Sequence, residues 1–173
     1  LIWLFSQSKQ FNAAFVQAQA LDKRQKAEGK IVYELGITCL QNKEYKIARK
    51  AFQYIVNLGD KAPLFYEAEF ALLNTRYHEI TQFRNYSNEE LNAAISDYET
   101  TIQRVGKGRN TIKLIMELAE IKAFYATRAG EAQKLLEDAL LIPGLTSMQQ
   151  AEIKIALGDI FVIQNDIWSA SIL

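Results

Sequence analysis

Histidine is the side chain that most often acts as an acid, a base or a metal ligand at neutral pH, and this chain has one, His78. A metal site or an acid–base pair needs a second ligand or an oriented partner near the imidazole. Glu79 is adjacent in sequence, but consecutive residues of a helix point in different directions. We therefore interpret His78 as an ordinary surface or packing residue.

Cys39 is the single cysteine, so the chain cannot form an internal disulfide. A cysteine nucleophile needs a neighbouring base, and the one histidine is distant in sequence. Cys39 lies in a segment with a helical pattern, where a small apolar filler suits the packing between helices. We predict that this thiol is buried and inert.

Two short motifs resemble functional sites but have simpler interpretations. Gly106-Lys107-Gly108 lacks the order of a phosphate-binding loop, in which the lysine follows the second glycine and precedes Ser or Thr. It is predicted to be a turn between helices. Asn85-Tyr86-Ser87 matches a glycosylation acceptor, a pattern that matters only in a secreted eukaryotic protein; the simpler interpretation is a loop with Ser87 as a helix N-cap.

Glu117 and Glu120 are three residues apart, a spacing that could bring two carboxylates to one face of a helix. Without His or Asp nearby, such a pair is more often solvated or lines a groove. No catalytic group of residues emerges from the sequence. We therefore expect that the protein is not an enzyme and that it needs no metal or cofactor.

Composition favours an all-α fold. Gly and Pro together number only 10 of 173 residues, too few for a turn-rich β domain, whereas good helix formers dominate.

The charge balance and the apolar runs bear on partners. Lys plus Arg equals Asp plus Glu at 20 each, so the chain lacks the excess of positive charge that binds nucleic-acid phosphates. The longest apolar runs fall far short of the roughly 20 residues of a membrane span. We expect no nucleic-acid partner and no membrane insertion.

Small residues recur at long intervals along the chain. Leu35-Gly36 is followed twelve residues after the glycine by Ala48, and Leu157-Gly158 is followed at the same interval by Ala170. Corresponding alanines occur in five places, separated by 34, 46, 38 and 38 residues: Ala14, Ala48, Ala94, Ala132 and Ala170. Small side chains at such positions allow two helices to approach closely, while larger ones fill the spaces between helix pairs.

This pattern resembles the tetratricopeptide repeat, which has a period of 34 residues and alternates small and large positions along two helices. The best copy comprises Val32, Leu35, Gly36, Cys39, Tyr45, Ala48 and Phe52. The resemblance extends over essentially the whole chain, although no copy has the family's opening tryptophan. It implies a right-handed α-solenoid of stacked antiparallel helix pairs.

Within that frame we expect one repeat domain over residues 1–173, with units near 1–25, 27–58, 63–105, 110–142 and 147–173, of which the first and last are incomplete.

Residues typical of helix caps predict where the helices begin and end. Ser87 with Glu90, and Thr146 with Gln149, are typical of capping boxes. Gly59 and Gly106 are predicted to be left-handed caps, and Pro63 is predicted to lie in the first turn of a helix.

The third unit is longer than the others. Ala71 and Ala94 are 23 residues apart where twelve is usual, and the excess corresponds to about three turns at about 3.6 residues per turn. An extension by whole turns would keep the apolar face in phase. We predict a long helix near 63–84 rather than an irregular insertion.

In the tetratricopeptide family the first helix of each unit lines a concave groove that holds peptide segments of partners. The resemblance implies groove positions at Lys30, Tyr33, Ile37, Gln41, Phe65, Leu72, Arg76, Lys113, Glu117, Glu120, Glu152, Ile155 and Asp159. The Lys, Asn and Arg clamp with which some members hold a peptide's terminal carboxylate is not reproduced. The groove is expected to be partly apolar and partly acidic, and to favour an amphipathic or basic segment.

The function expected from these patterns is that of a non-catalytic scaffold that binds a protein or peptide. The alternative is a structural or oligomerisation segment of a larger envelope or regulatory protein, because Trp3 and Trp168 lie on apolar faces that no polar cap covers, and the chain could associate with itself there. The chain begins with Leu, so any signal peptide would lie upstream. The compartment stays open between cytoplasmic, periplasmic and secreted.

Overall fold

The chain folds into α-helices. A computed structural model describes residues 2–84 and 86–172, and these contain no strand; 78% helix confirms the all-α prediction. Asn85 of the possible acceptor, and Leu1 and Leu173, lie outside the described residues. The described residues form ten α-helices: α1 Ile2–Gln7, α2 Phe11–Gln25, α3 Lys30–Gln41, α4 Tyr45–Val56, α5 Phe65–His78, α6 Asn88–Val105, α7 Ile112–Glu120, α8 Ala129–Leu140, α9 Ser147–Ile163 and α10 Ile167–Ser171.

Both predicted capping boxes are present. The Ser87 hydroxyl accepts a hydrogen bond from the Glu90 backbone amide, and the Glu90 carboxylate accepts one from the Ser87 amide. Thr146 and Gln149 make the same reciprocal pair at the start of α9. Each box satisfies amides that the first helical turn leaves without an intrahelical acceptor.

Three predictions of where helices begin or end need correction in detail. Gly106 ends α6 with φ 90° and ψ 155°, an extended conformation that is open to glycine almost alone, rather than the left-handed helical one. Gly59 has the expected positive φ of 93°, but α4 ends at Val56 with Asn57 as its C-cap, so Gly59 lies beyond the cap. Pro63 lies in the turn before α5 and not in its first helical turn, because α5 begins two residues later at Phe65.

The long helix predicted near 63–84 is confirmed as helical residues from Phe65 to Phe83, but its last part differs. After α5, Glu79–Phe83 form a π-helical turn. A second π-helical turn, Ile121–Tyr125, follows α7 in the same way. Such turns are uncommon, with i→i+5 hydrogen bonds in place of i→i+4.

The helices form two compact units that divide between Glu79 and Ile80. In the first unit, each of the helices α1 to α4 packs on the next one, and α2 also contacts α4. In the second, each of the helices α6 to α9 packs on the next one, and α7 also contacts α9. Short connections make consecutive helices antiparallel. Among the described residues, none of the helices is long and apolar enough to cross a bilayer.

A buried carboxylate joins three helices of the first unit. Asp22 on α2 accepts hydrogen bonds from the backbone amides of Gly29 and Ile31, at 3.0 and 3.2 Å, where α3 begins. The Tyr54 hydroxyl of α4 lies 3.4 Å from the same carboxylate. Asp22 thus acts as a cap for a helix to which it does not belong, and its negative charge suits the positive end of α3.

Small residues lie where the helices approach. Four of the predicted alanine positions, Ala14, Ala48, Ala94 and Ala132, are buried, and Ala170 is half-buried. At Gly36 the approach is closest, because a Cβ there would lie 2.7 Å from Cε1 of the Phe52 ring. Phe52 is itself fully buried, so the ring has little room to move away.

We therefore expect Gly36→Ala to destabilise the protein. Overpacking costs about 1–3 kcal/mol, more than the ~1 kcal/mol by which Ala exceeds Gly in helix propensity. Gly130→Ala in α8 is the matched control, since a Cβ there meets nothing within 4 Å, and it should be neutral or stabilising. Urea unfolding of both variants measures the difference; equal free energies of unfolding would contradict the close contact at Gly36.

Candidate protein-binding surface

The positions predicted on α3 follow one face of that helix. Lys30 and Gln41 are exposed, and Tyr33 and Ile37 are half-buried. The Tyr33 ring meets Phe52 edge-on, with centroids 5.6 Å apart. Burial, and then the negative charge of Glu67, raise the pKa of Tyr33, which keeps it a neutral phenol close to α5.

The positions predicted on α5 are less open. Phe65 and Arg76 are half-buried, whereas Leu72 is 8% exposed and belongs to the core of the first unit. A side chain so deep in the core cannot contact a partner. Leu72 is therefore removed from the candidate surface, because the long α5 turns this position toward the helices on which it packs.

The acidic pair predicted on α7 separates into a buried and a partly exposed carboxylate. Glu117 is 6% exposed and accepts a hydrogen bond of 2.7 Å from the Tyr98 hydroxyl of α6. Lys113, one turn earlier and exposed, lies 3.7 Å from the other Glu117 oxygen. Glu120 is half-buried. Glu117 is thus a core residue that holds α6 against α7, and we drop it from the groove.

The positions predicted on α9 are all exposed. Glu152, Ile155 and Asp159 follow one another at helical spacing, and Ile155 is 67% exposed. The same strip continues to the exposed Met148 on one side and Val162 on the other. It spans about 20 Å at about 1.5 Å per residue, and apolar and acidic side chains alternate along it.

A narrower strip is open on α7 and the π-helical turn that follows. Between residues 112 and 124 every position is buried except Lys113, Met116, Glu120 and Phe124. These four recur every three or four residues, so they lie along one line of the helix. Phe124 is exposed although it is a large aromatic residue.

Because α7 packs directly against α9, the two open strips lie on neighbouring helices. Gln149 at the start of α9 also donates a hydrogen bond to the Arg109 carbonyl before α7. We call the two strips together the α7–α9 surface; its members are Lys113, Met116, Glu120, Phe124, Met148, Glu152, Ile155, Asp159 and Val162. Three carboxylates against one ammonium make it acidic.

The sequence reasoning found Ile155 but missed other apolar members of this surface. Met148 and Val162 continue the helical spacing of the predicted α9 positions by one step in each direction, so extending the face would have found them. Phe124 lies four residues after Glu120, so the same extension along α7 would have found it, although the π-helical turn was not predicted.

An ion network fixes that turn. The Lys122 ammonium lies 2.6 Å from a Glu99 oxygen on α6 and 2.7 Å from a Glu131 oxygen on α8. Burial opposes the charge of Lys122, but hydrogen bonds and the charges of both glutamates outweigh burial and raise its pKa. The hydrogen bond to Lys122 in turn lowers the pKa of Glu131. Lys122 therefore ties α6, the π-helical turn and α8 together.

The network predicts a pH dependence of stability. Because the pKa of folded Glu131 lies below its ordinary value of 4.5, the native state binds fewer protons than the unfolded state. Stability from this pair is fully present above that value and is lost as pH falls through the folded pKa. Glu131→Gln should flatten the acid side of a plot of unfolding free energy against pH. Glu137→Gln on the same helix is the control, since Glu137 pairs with the Gln133 amide; equal plots for the two variants would contradict the network.

The other side chains that could carry chemistry make contacts within the chain. The His78 imidazole stacks on the Tyr45 ring, with centroids 5.5 Å apart and 15° between the planes. Lys107 lies in the turn after α6, as predicted for the Gly-Lys-Gly motif, and pairs with Asp138 at 3.2 Å. Cys39 is fully buried, as predicted, and burial together with the charge of Glu44 raises the pKa of its thiol to about 12.

Cys39 is therefore expected not to react in the native protein. At mildly alkaline pH the thiol is both protonated and shielded, so a disulfide reagent such as Ellman's should label it only after unfolding. Labelling in urea provides the reference rate. Fast labelling of the native chain would show that Cys39 is accessible and would reopen the question of a reactive thiol.

Comparison with models of protein families and with curated proteins finds no match for this chain. The described residues also contain no group of three or more His, Cys, Asp and Glu side chains that could hold a metal ion. The resemblance to tetratricopeptide repeats therefore rests on the residues themselves.

Proposed function

We propose that this chain is a non-catalytic scaffold that binds a segment of another protein, and that the α7–α9 surface is the binding site. The observation that supports this most directly is the strip on α9, where Met148, Ile155 and Val162 are exposed along one face. These apolar residues recur every seven positions, with Glu152 and Asp159 between them, a pattern that suits contact with an amphipathic segment.

We also propose that the helix pairs belong to the tetratricopeptide type and stack as a right-handed solenoid. Neighbour-to-neighbour packing and buried small residues at the repeat positions support this proposal. In that arrangement α7 and α9 are the first helices of consecutive units, which are the helices that line the groove of the family.

The chemistry of the surface favours a basic amphipathic partner. Glu120, Glu152 and Asp159 would attract Lys or Arg, and charge complementarity would fix the register of the segment. The apolar side chains between them would bury the partner's Leu, Ile or Phe residues. An amphipathic helix with apolar residues at i, i+3, i+4 and i+7 meets both requirements.

A matched set of synthetic helical peptides tests this proposal. One carries Lys and Leu in amphipathic spacing, one replaces Lys by Glu, and one replaces Leu by Ser. Fluorescence anisotropy with the full chain should show binding of the Lys–Leu peptide only, weakened by added salt because exposed charges are screened. Ile155→Asp and the pair Glu152→Lys with Asp159→Lys should each weaken binding by about tenfold or more.

Glu137→Lys is the control for the charge reversals, because it changes an exposed carboxylate on α8. Circular dichroism establishes that each variant keeps its helices. Tight binding that survives all the changes on α9 would place the site elsewhere, and failure of every peptide to bind would argue against a groove for basic segments.

The alternative function, a structural or oligomerisation segment, is favoured by a separate observation. Large apolar side chains are exposed on α1 and on α10, among them Trp3 and Trp168. These residues lie outside the α7–α9 surface.

A further inference from the structure

An open hollow between α1 and α2 combines apolar walls with a cation. It has a volume of about 510 Å³ and is lined by Ile2, Trp3, Gln17, Ala20, Leu21 and Arg24, within the range of about 300–1,000 Å³ that is usual for binding pockets. Trp3 is 69% exposed, and two residues that adjoin the lining in sequence are also exposed: Leu4, next to Trp3, and Val16, next to Gln17. The walls therefore offer apolar area that the chain itself does not cover.

The charge on this part of the molecule is of one sign. Between residues 2 and 26 the cations are Lys9, Lys23, Arg24 and Lys26, and the one carboxylate is Asp22. Asp22 is buried and directed at the amides that begin α3. Arg24 is the charged residue of the lining, and the exposed charges of residues 2–26 are all positive, so an occupant with a carboxylate fits the hollow.

A surface of the opposite character lies on the end of α9 and on α10. Trp168 is 76% exposed, and Ile163, Ile167 and Ile172 are exposed with it. Between residues 160 and 172 the only charged residue is the carboxylate Asp166. Hydrogen bonds from Ser169 lower the pKa of Asp166, so this surface stays anionic.

We propose that the chain associates with a second copy of itself, the α9–α10 surface of one copy docking on the α1–α2 hollow of the next. Trp168 and Ile172 supply apolar side chains for the hollow, and Asp166 supplies a carboxylate for Arg24. Helix pairs of repeat proteins stack because each unit cannot bury its apolar face alone, and α10 would pack on α1 of the neighbour as consecutive helices pack within each unit.

Such a contact is heterologous, because two different surfaces meet, and this property makes it testable by complementation. Trp3→Ser damages the hollow and leaves α10 intact, whereas Trp168→Ser damages α10 and leaves the hollow intact. Both tryptophans are exposed, so neither change removes a core residue.

The experiment is sedimentation velocity of the full chain over a wide range of concentration. The wild-type chain should associate, and each tryptophan variant alone should do so about tenfold more weakly or worse. An equimolar mixture of the two variants should form a one-to-one dimer, because the intact α10 of one can dock in the intact hollow of the other. Arg24→Glu should weaken association, and Lys50→Glu on α4 and Leu141→Ser after α8 should not.

A chain that stays monomeric at every concentration would overturn the proposal. So would association that persists in the mixture and in both single variants, or association lost in Trp168→Ser but unchanged in Trp3→Ser, which would indicate a symmetric contact between α10 helices. The inference is independent of the α7–α9 surface: the two tryptophan variants should bind the Lys–Leu peptide as the wild type does, and Ile155→Asp should self-associate normally.

Discussion

The distance between packed helices depends on side chains at a few positions, and in this chain those positions hold glycine or alanine. At Gly36 the Phe52 ring occupies the space that a Cβ would need. The alanines at the corresponding positions of α2, α4, α6 and α8 are buried as well. Because small residues let consecutive helices approach closely, their apolar faces pack at the density of a protein interior. The outward faces of the helices carry the charged residues.

Buried polar groups add specificity to that packing. Asp22 and Glu117 are carboxylates on helices that the chain could have filled with apolar residues, and each instead bonds a neighbouring helix. Lys122 does the same for three elements of the second unit. A buried charge is tolerated only with partners, so each of these residues constrains which helices can lie side by side.

The sequence predicted the helical content, the capping boxes and the long helix near 63–84 well, because these depend on local spacing and on caps that a few residues define. It failed where a residue's direction depends on a neighbouring helix. Leu72 and Glu117 satisfied the spacing of a groove but are buried, since the packing of α5 and the Tyr98 hydroxyl decide their surroundings. Both π-helical turns were missed. On α9, by contrast, the predicted positions Glu152, Ile155 and Asp159 are exposed as expected.

The π-helical turn at Ile121–Tyr125 accommodates residues at a wider winding than an α-helix does, with i→i+5 bonds in place of i→i+4. A helix can therefore lengthen by a single residue and still present its earlier face to the core, because the wider turn absorbs the change in phase. The unequal intervals between the recurring alanines of this chain can therefore include single residues added within helices. Such an insertion turns the residues that follow it to a new direction, and the exposed Phe124 lies within one of these wider turns.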